Sequence, residues 1–297
     1  GYNVVGTNTG RITCYTSPTG SGYNLQTIPD EDRDLYLPDP NHYFFQCDLA
    51  GADAWTVACW CAKMGDRTML DDLLYGIKIA KVVALMFLRG PQVSNLNRPE
   101  LAELCATIHK KDPIYFGSKC CQHATNYDGQ EVTVSATIFT QSEGAVNIPT
   151  KDCRVLQAYY NQRYPGLQRY KNFAASQLLN VVRITAASGH TRVFYGDRRD
   201  HHVFKQFLAF EPQANTTFVT NLAALRLWKD QANRTPSGGL VIQPLHQVHD
   251  ALAGQFPVDQ AVACCDRIGD YFNNPICIAG QTVTIPFEGG YGKSWKD

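Results

Sequence analysis

Two carboxylates far apart in the chain carry the strongest chemical signal. Asp48 ends the aromatic, apolar run Tyr43-Phe44-Phe45-Gln46-Cys47, and a small-residue turn follows it into Trp55. Asp250 sits in Leu240-Val241-Ile242-Gln243-Pro244-Leu245-His246-Gln247-Val248-His249-Asp250-Ala251-Leu252, which reads as two strands folding back at His249-Asp250. An acid at the exit of a buried strand is costly unless something compensates it, and a bound cation is the usual compensation. The expectation is that Asp48 and Asp250 meet in space and hold divalent metal. Such a pair could bridge two ions about 3.5–4 Å apart, the arrangement that serves phosphoryl and nucleotidyl transfer.

The elements that must position this pair follow from pattern. At 297 residues with 44% hydrophobic content, the chain can bury a substantial core as one large domain or two subdomains. The longest apolar run, 82–88, is too short to cross a bilayer, and no basic, apolar leader opens the chain, so no membrane partner and no export are expected. The eleven cysteines form no CxxC pair and no metal spacing with histidine. Cys59/Cys61, Cys120/Cys121 and Cys264/Cys265 read as reduced, buried thiols of an intracellular protein. Net charge is zero, yet residues 154–235 carry twelve basic and four acidic side chains, a local +8 balanced by −8 elsewhere. That asymmetry suggests a polyanion-facing region beside an acidic metal-binding one, with solvated helix faces as the plainer alternative.

Residues 1–38 are rich in Gly, Asn and Pro and read as loops. Helices are expected over 53–64, 70–87, 99–110, 117–127 and 152–179, the last interrupted at Tyr164-Pro165-Gly166. The motif helix is opened by Ser118 or a nearby residue and closed by Asp128-Gly129. Residues 130–147 alternate without a clear period. A hairpin is expected over 181–195, a long helix over 199–228 kinked or broken at Pro212, a helix over 258–272 and a hairpin over 276–286. Gly289-Gly290-Tyr291-Gly292-Lys293-Ser294 looks like a phosphate loop but lacks the glycine spacing and the following helix, so it reads as a terminal loop.

Read together, these pieces resemble the polymerase domain of family A DNA polymerases. Thr9-Gly10-Arg11 with Asn24-Leu25-Gln26-Thr27-Ile28-Pro29 is similar to the family's first conserved segment, Asp48 to Trp55 to motif A and Lys119…Tyr127 to the motif B helix (about 117–129). Arg163-Tyr164-Pro165-Gly166, Gln213 in the helix before motif C, Val248-His249-Asp250 as motif C and Gly292 to Trp295 follow in order. The resemblance implies an α+β fold: a palm whose antiparallel β-sheet bears the catalytic Asp residues, formed by 1–64 and 181–297, and helical fingers formed by 65–180. It implies a divergent, phage- or virus-like member acting on primer-template DNA and dNTPs.

The same resemblance assigns roles. Asp48, Asp250 and the backbone carbonyl of Leu49 would hold two Mg²⁺ ions, with Mn²⁺ able to substitute. Lys119 would contact the triphosphate and protonate the departing pyrophosphate. His123 and Tyr127, about 40° and 80° further round the helix, share its face and would stack on the new base pair. Asp53 would close the 2′ side of the sugar pocket where the family has Glu, one methylene longer, so weaker rejection of ribonucleotides is expected. Arg11, Lys205, Gln213 and His249 would contact the primer terminus and minor groove, and Asn24 and Gln26 the DNA backbone.

Departures are instructive. Tyr115 replaces a basic residue four before Lys119, leaving Lys110 and Lys111 as candidate substitutes. His123 replaces an aromatic ring, Ala251 replaces an acid after Asp250, and Gly51 and Trp55 replace Gln and Arg. The chain opens on Gly1 where a palm begins, so the thumb is expected to be absent and supplied, like any exonuclease, by an upstream region or a separate polypeptide. Distributive synthesis and salt-sensitive DNA binding would follow. The rival readings are a non-catalytic DNA-binding or assembly subunit and a single-subunit RNA polymerase.

Overall fold

The computed structural model describes residues 2–3, 6–15, 20 and 24–296. Short strands β1 (Tyr2–Asn3) and β2 (Thr13–Cys14) pair ahead of 3₁₀ turns over Leu25–Thr27 and Asp30–Leu35. The aromatic run forms β3 (His42–Leu49). Gly51, in the left-handed region at φ 62°, turns the chain into α1 (Ala52–Lys63).

The helix expected over 70–87 is two helices, α2 (Thr68–Leu74) and α3 (Ile79–Arg89). Gly76 at φ 82° ends the first, with its amide on the Leu73 carbonyl (2.9 Å) and that of Ile77 on Asp72 (2.9 Å). In α4 (Arg98–Ala106), Asn97 and Glu100 form a reciprocal capping box. The motif helix, α5 (Pro113–Asn126), starts four residues earlier than the pattern indicated: Asp112 caps it and Pro113 takes its first position, while Ser118 is buried inside it. The undecided stretch 130–147 holds α6 (Glu131–Gln141), followed by α7 (Thr150–Arg163) and α8 (Gly166–Asn180).

Strands β4 (Arg183–Thr185) and β5 (Thr191–Val193) make the expected hairpin. They lead to α9 (His201–Lys229), which runs continuously through Pro212. The expected break does not form; Pro212 is buried within the helix, whose burial in the core offsets the roughly 3 kcal/mol that a mid-helix proline costs. Next come β6 (Gln243–Val248), β7 (Ala251–Pro257), α10 (Ala261–Phe272), the hairpin β8 (Pro275–Ile278) and β9 (Gln281–Thr284), and finally β10 (Phe287–Gly292).

That final strand corrects the terminal-loop expectation. The central sheet runs β10-β3-β7-β6, antiparallel throughout, with β10 pairing β3 from Phe287↔Leu49 to Gly292↔Phe44. Gly289 is required there, since a Cβ would stand 2.5 Å from the Gln46 carbonyl and 2.9 Å from the Cys47 sulfur. The architecture is α+β, with a sheet floor and a helical lobe.

One large hydrophobic core joins the sheet to α1 and α5 through α10. A second cluster, around Ile77, Leu85, Met86, Leu101 and Tyr115, holds α3, α4 and α5 together. The Arg163-to-Gly166 stretch has a structural explanation. Arg163 donates bidentately to the fully buried Asp72 (2.9 and 3.1 Å), Tyr164 Oη donates to the same carboxylate (3.0 Å), and the Gly166 amide donates to Asp66 (2.7 Å). A Cβ on Gly166 would lie 2.6 Å from that of Asp66. All eleven cysteines are free thiols. Among the described residues no helix is long and apolar enough to cross a membrane.

Candidate active site

Along β3 the side chains of Cys47 and Leu49 are buried and that of Asp48 points to the open face. In register, Asp48 lies opposite Ala251 of β7 on one side and Glu288 of β10 on the other. Asp250 immediately precedes Ala251, in a two-residue turn that His249 makes at φ 53°. Thr220 of α9 donates to the Asp250 carbonyl (3.2 Å) and fixes that turn. The sheet therefore brings the two predicted carboxylates together at one end of the floor.

The electrostatics agree. Withdrawal from bulk water pushes the Asp48 carboxyl up to about 6, and the charge of Asp250 pushes the same way, while Lys119 and the Leu49 amide pull against it. Asp250 is raised as well, by burial and then by Asp53, with Arg11 and His249 opposing. Among the described residues no cluster of three or more His, Cys, Asp or Glu forms a ready-made metal cage. Two mutually repelling carboxylates on an open floor are nonetheless the donor set Mg²⁺ takes, since it keeps waters and shares its oxygens with substrate phosphate.

Helix α5 brings Lys119 to the cleft that Asp48 lines. Asp112 accepts from the amides of Ile114 (2.7 Å) and Tyr115 (3.3 Å), anchoring the helix so that Lys119, His123 and Tyr127 follow one another along a face. The His123 and Tyr127 rings pack edge to face, 4.9 Å between centroids. Tyr127 Oη donates to Asp53 (2.6 Å), Thr216 of α9 donates to its other oxygen (3.1 Å), and His123 Nδ1 is 3.8 Å away. Asp53 is thus clamped from two sides. Burial and this carboxylate hold the Tyr127 hydroxyl well above its usual range.

The expected DNA contacts divide. Arg11 sits near enough to act on both Asp250 and Tyr127, and its buried Nε has no partner. His249 is exposed beside Asp250. Asn24 caps the first 3₁₀ turn by accepting from the Gln26 amide (3.0 Å). Gln26 spends its side chain on Cys14, Ile12 and Gln247 of β6 (3.1, 2.9 and 3.0 Å), tying the N-terminal loop to the sheet. Lys205 and Gln213 lie on α9 fifteen and seven residues before Thr220, about 22 Å and 10 Å along the axis from its contact with Asp250.

Part of the basic excess over 154–235 is engaged within the fold. Arg163 is buried on Asp72, Lys171 pairs with Asp128 (3.1 Å), Arg154 with Glu131 (2.7 Å), and Arg226 donates to the Tyr271 and Asn273 carbonyls at the end of α10. Sequence reasoning missed Glu288, because its strand carries two adjacent glycines and no apolar alternation. It also missed Thr216, whose link to Asp53 spans 163 residues.

No protein-family model matches the chain, and no curated protein matches it. A solved structure, the POL domain of Pol1 from M. smegmatis in complex with DNA primer-template and dNTP, is similar in fold, with a TM-score of 0.73 at 17% identity. The match covers 99% of this chain and 47% of that one, so the chain spans about half the length of its structural neighbour. The chain has the fold of a polymerase domain.

Proposed function

We propose that this chain is the palm (1–64 and 181–297) and fingers (65–180) of a template-directed DNA polymerase, which joins dNTPs to a primer 3′ hydroxyl. The observation that carries this reading is the sheet register that sets Asp48 beside the Asp250 turn, with Lys119 acting on the same carboxylate from α5.

Asp48 and Asp250, with the Leu49 carbonyl, are the residues that would hold two Mg²⁺ ions. When bound, these ions supply activation of the 3′ hydroxyl and charge stabilisation at the leaving pyrophosphate. Lys119 would meet the triphosphate and give a proton to the departing pyrophosphate oxygen. His123 and Tyr127 offer ring surface to the nascent base pair. Asp53, held back by Tyr127 and Thr216, bounds the 2′ side of the sugar. Arg11 and His249 stand where a primer terminus would meet the carboxylates.

Extension of a labelled primer on a defined template, with Mg²⁺ and either dNTPs or rNTPs, tests the reading. Template-dependent extension that prefers dNTPs and disappears in Asp250→Ala supports it. A folded chain that binds primer-template without extending it would instead be a binding subunit, and preference for rNTPs would make it an RNA polymerase.

A further inference from the structure

The basic residue that would normally hold the triphosphate from α5 is absent, and the structure shows why position 115 cannot supply it. Tyr115 is only 7% exposed and belongs to the second hydrophobic core, so its side chain is committed to holding α3 and α4 against α5. Lys111, one of the expected substitutes, makes no contact with the floor residues in the ion pairs of the site. A different lysine stands there.

Lys78 precedes the first residue of α3, just after the Gly76 turn that splits the expected single helix. Its ammonium pairs with Glu288, the residue opposite Asp48 in the sheet register. Lys110 reaches the other oxygen of Glu288 at 3.8 Å. Lys78, Lys119, Asp48 and Glu288 border one cleft of about 420 Å³, with Tyr115 in its wall. Glu288 therefore holds two ammonium groups at the edge of the floor, next to the carboxylate proposed to bind metal. Both ion pairs are solvent-accessible, with Lys78 40% and Lys110 79% exposed, and a surface pair of this kind contributes little to stability. A polyphosphate, with several charged oxygens, is a stronger acceptor for these donors than one carboxylate.

The geometry points to Lys78 as the residue that receives the terminal phosphates of the incoming nucleoside triphosphate, with Lys110 in support and Glu288 as the counter-ion that keeps both in place until the phosphate arrives. This assignment rests on the polymerase reading for its substrate. It predicts a triphosphate site built from the α2–α3 turn and the final strand, in addition to Lys119 on α5.

The test compares wild type with Lys78→Ala, Lys78→Arg, Lys110→Ala and, as a distant control, Lys151→Ala. Two readouts are needed: the dNTP dependence of single-nucleotide extension, and equilibrium binding of inorganic tripolyphosphate to the chain without DNA. Lys78→Ala should raise the half-saturating dNTP concentration about tenfold, the scale of one charge-assisted hydrogen bond, with a smaller change in the maximal rate. It should weaken tripolyphosphate binding by a similar factor. Lys78→Arg should restore most of both, Lys110→Ala should cost about two- to threefold, and Lys151→Ala should match wild type. If wild type extends primers and Lys78→Ala leaves both readouts unchanged, the assignment is overturned and the polymerase reading stands. If tripolyphosphate binds in a Lys78-dependent manner but wild type extends no primer, the site stands and the polymerase reading falls.

Discussion

Asp72, on α2 and facing the end of α7, and Asp48, near the end of β3, are both acids drawn out of bulk water, and their surroundings treat them in opposite ways. Asp72 is fully buried and receives Arg163 and Tyr164 from the end of α7 and Arg98 from the start of α4. Asp48 has only a backbone amide and the charge of Lys119 to offset desolvation and the neighbouring Asp250. A satisfied acid is part of the scaffold, whereas an acid left in conflict with its surroundings is reserved for something that arrives later. The partners around each acid distinguish the two roles.

The comparison can be broken most sharply by exchanging outcomes. Asp48→Ala or Asp250→Ala should lower primer extension by about 10³-fold or more, the scale expected when a ligand bridging catalytic ions is lost, without lowering the melting temperature. Asp72→Ala should do the reverse in kind. Removing one partner of a buried network costs about 3–5 kcal/mol, which a urea titration would read as a lower midpoint. If Asp72→Ala left stability intact, or Asp48→Ala unfolded the chain, the contrast would be mistaken.

A pH series sharpens it further. The Asp48 carboxyl is raised from 3.8 to about 6 in the fold, so its ionised form penalises folding. The penalty is fully present above about pH 6 and vanishes as the pH falls below 3.8. Asp48→Asn should therefore raise the melting temperature of the metal-free chain at pH 8, by a few degrees, with the gain shrinking toward zero near pH 4. Mg²⁺ should stabilise wild type at pH 8 and progressively less as the pH drops through 6. The smallest expected effect concerns the sugar. Thr216→Val removes one of the two donors on Asp53 and should relax discrimination against rNTPs by about threefold, with Asp53→Ala relaxing it by about tenfold. Equal ribo/deoxy ratios in all three proteins would remove Asp53 from that role.

Much of this site was legible in the chain before any coordinates. Asp48 and Asp250 end strands whose residue types are plain, and the 4- and 8-residue spacing from Lys119 to His123 and Tyr127 sets one helix face. What escaped depends on contacts distant in sequence. Gly76 lies within a continuous apolar period, and only its left-handed backbone separates α2 from α3. Pro212 reads as a break because its local cost is visible while the burial that offsets it is not. The positive excess over 154–235 is visible in the chain, whereas the engagement of Arg163, Lys171 and Arg154 by Asp72, Asp128 and Glu131 is not. Glu288 was hidden because Gly289 and Gly290 erase the strand signature, and the need for Gly289 arises from the close backbone of Gln46.

The place of β10 in the sheet also orders events in time. Its partner β3 emerges from the ribosome more than two hundred residues earlier, and until 287–292 appear the β3 edge bearing Asp48 has no neighbour on that side. Trp295 then stacks on Phe44 and bonds the Tyr36 carbonyl, latching the late strand onto the early one. A nascent chain would thus hold its acidic floor half-assembled, with the Lys78 counter-ion still missing, until this region is translated.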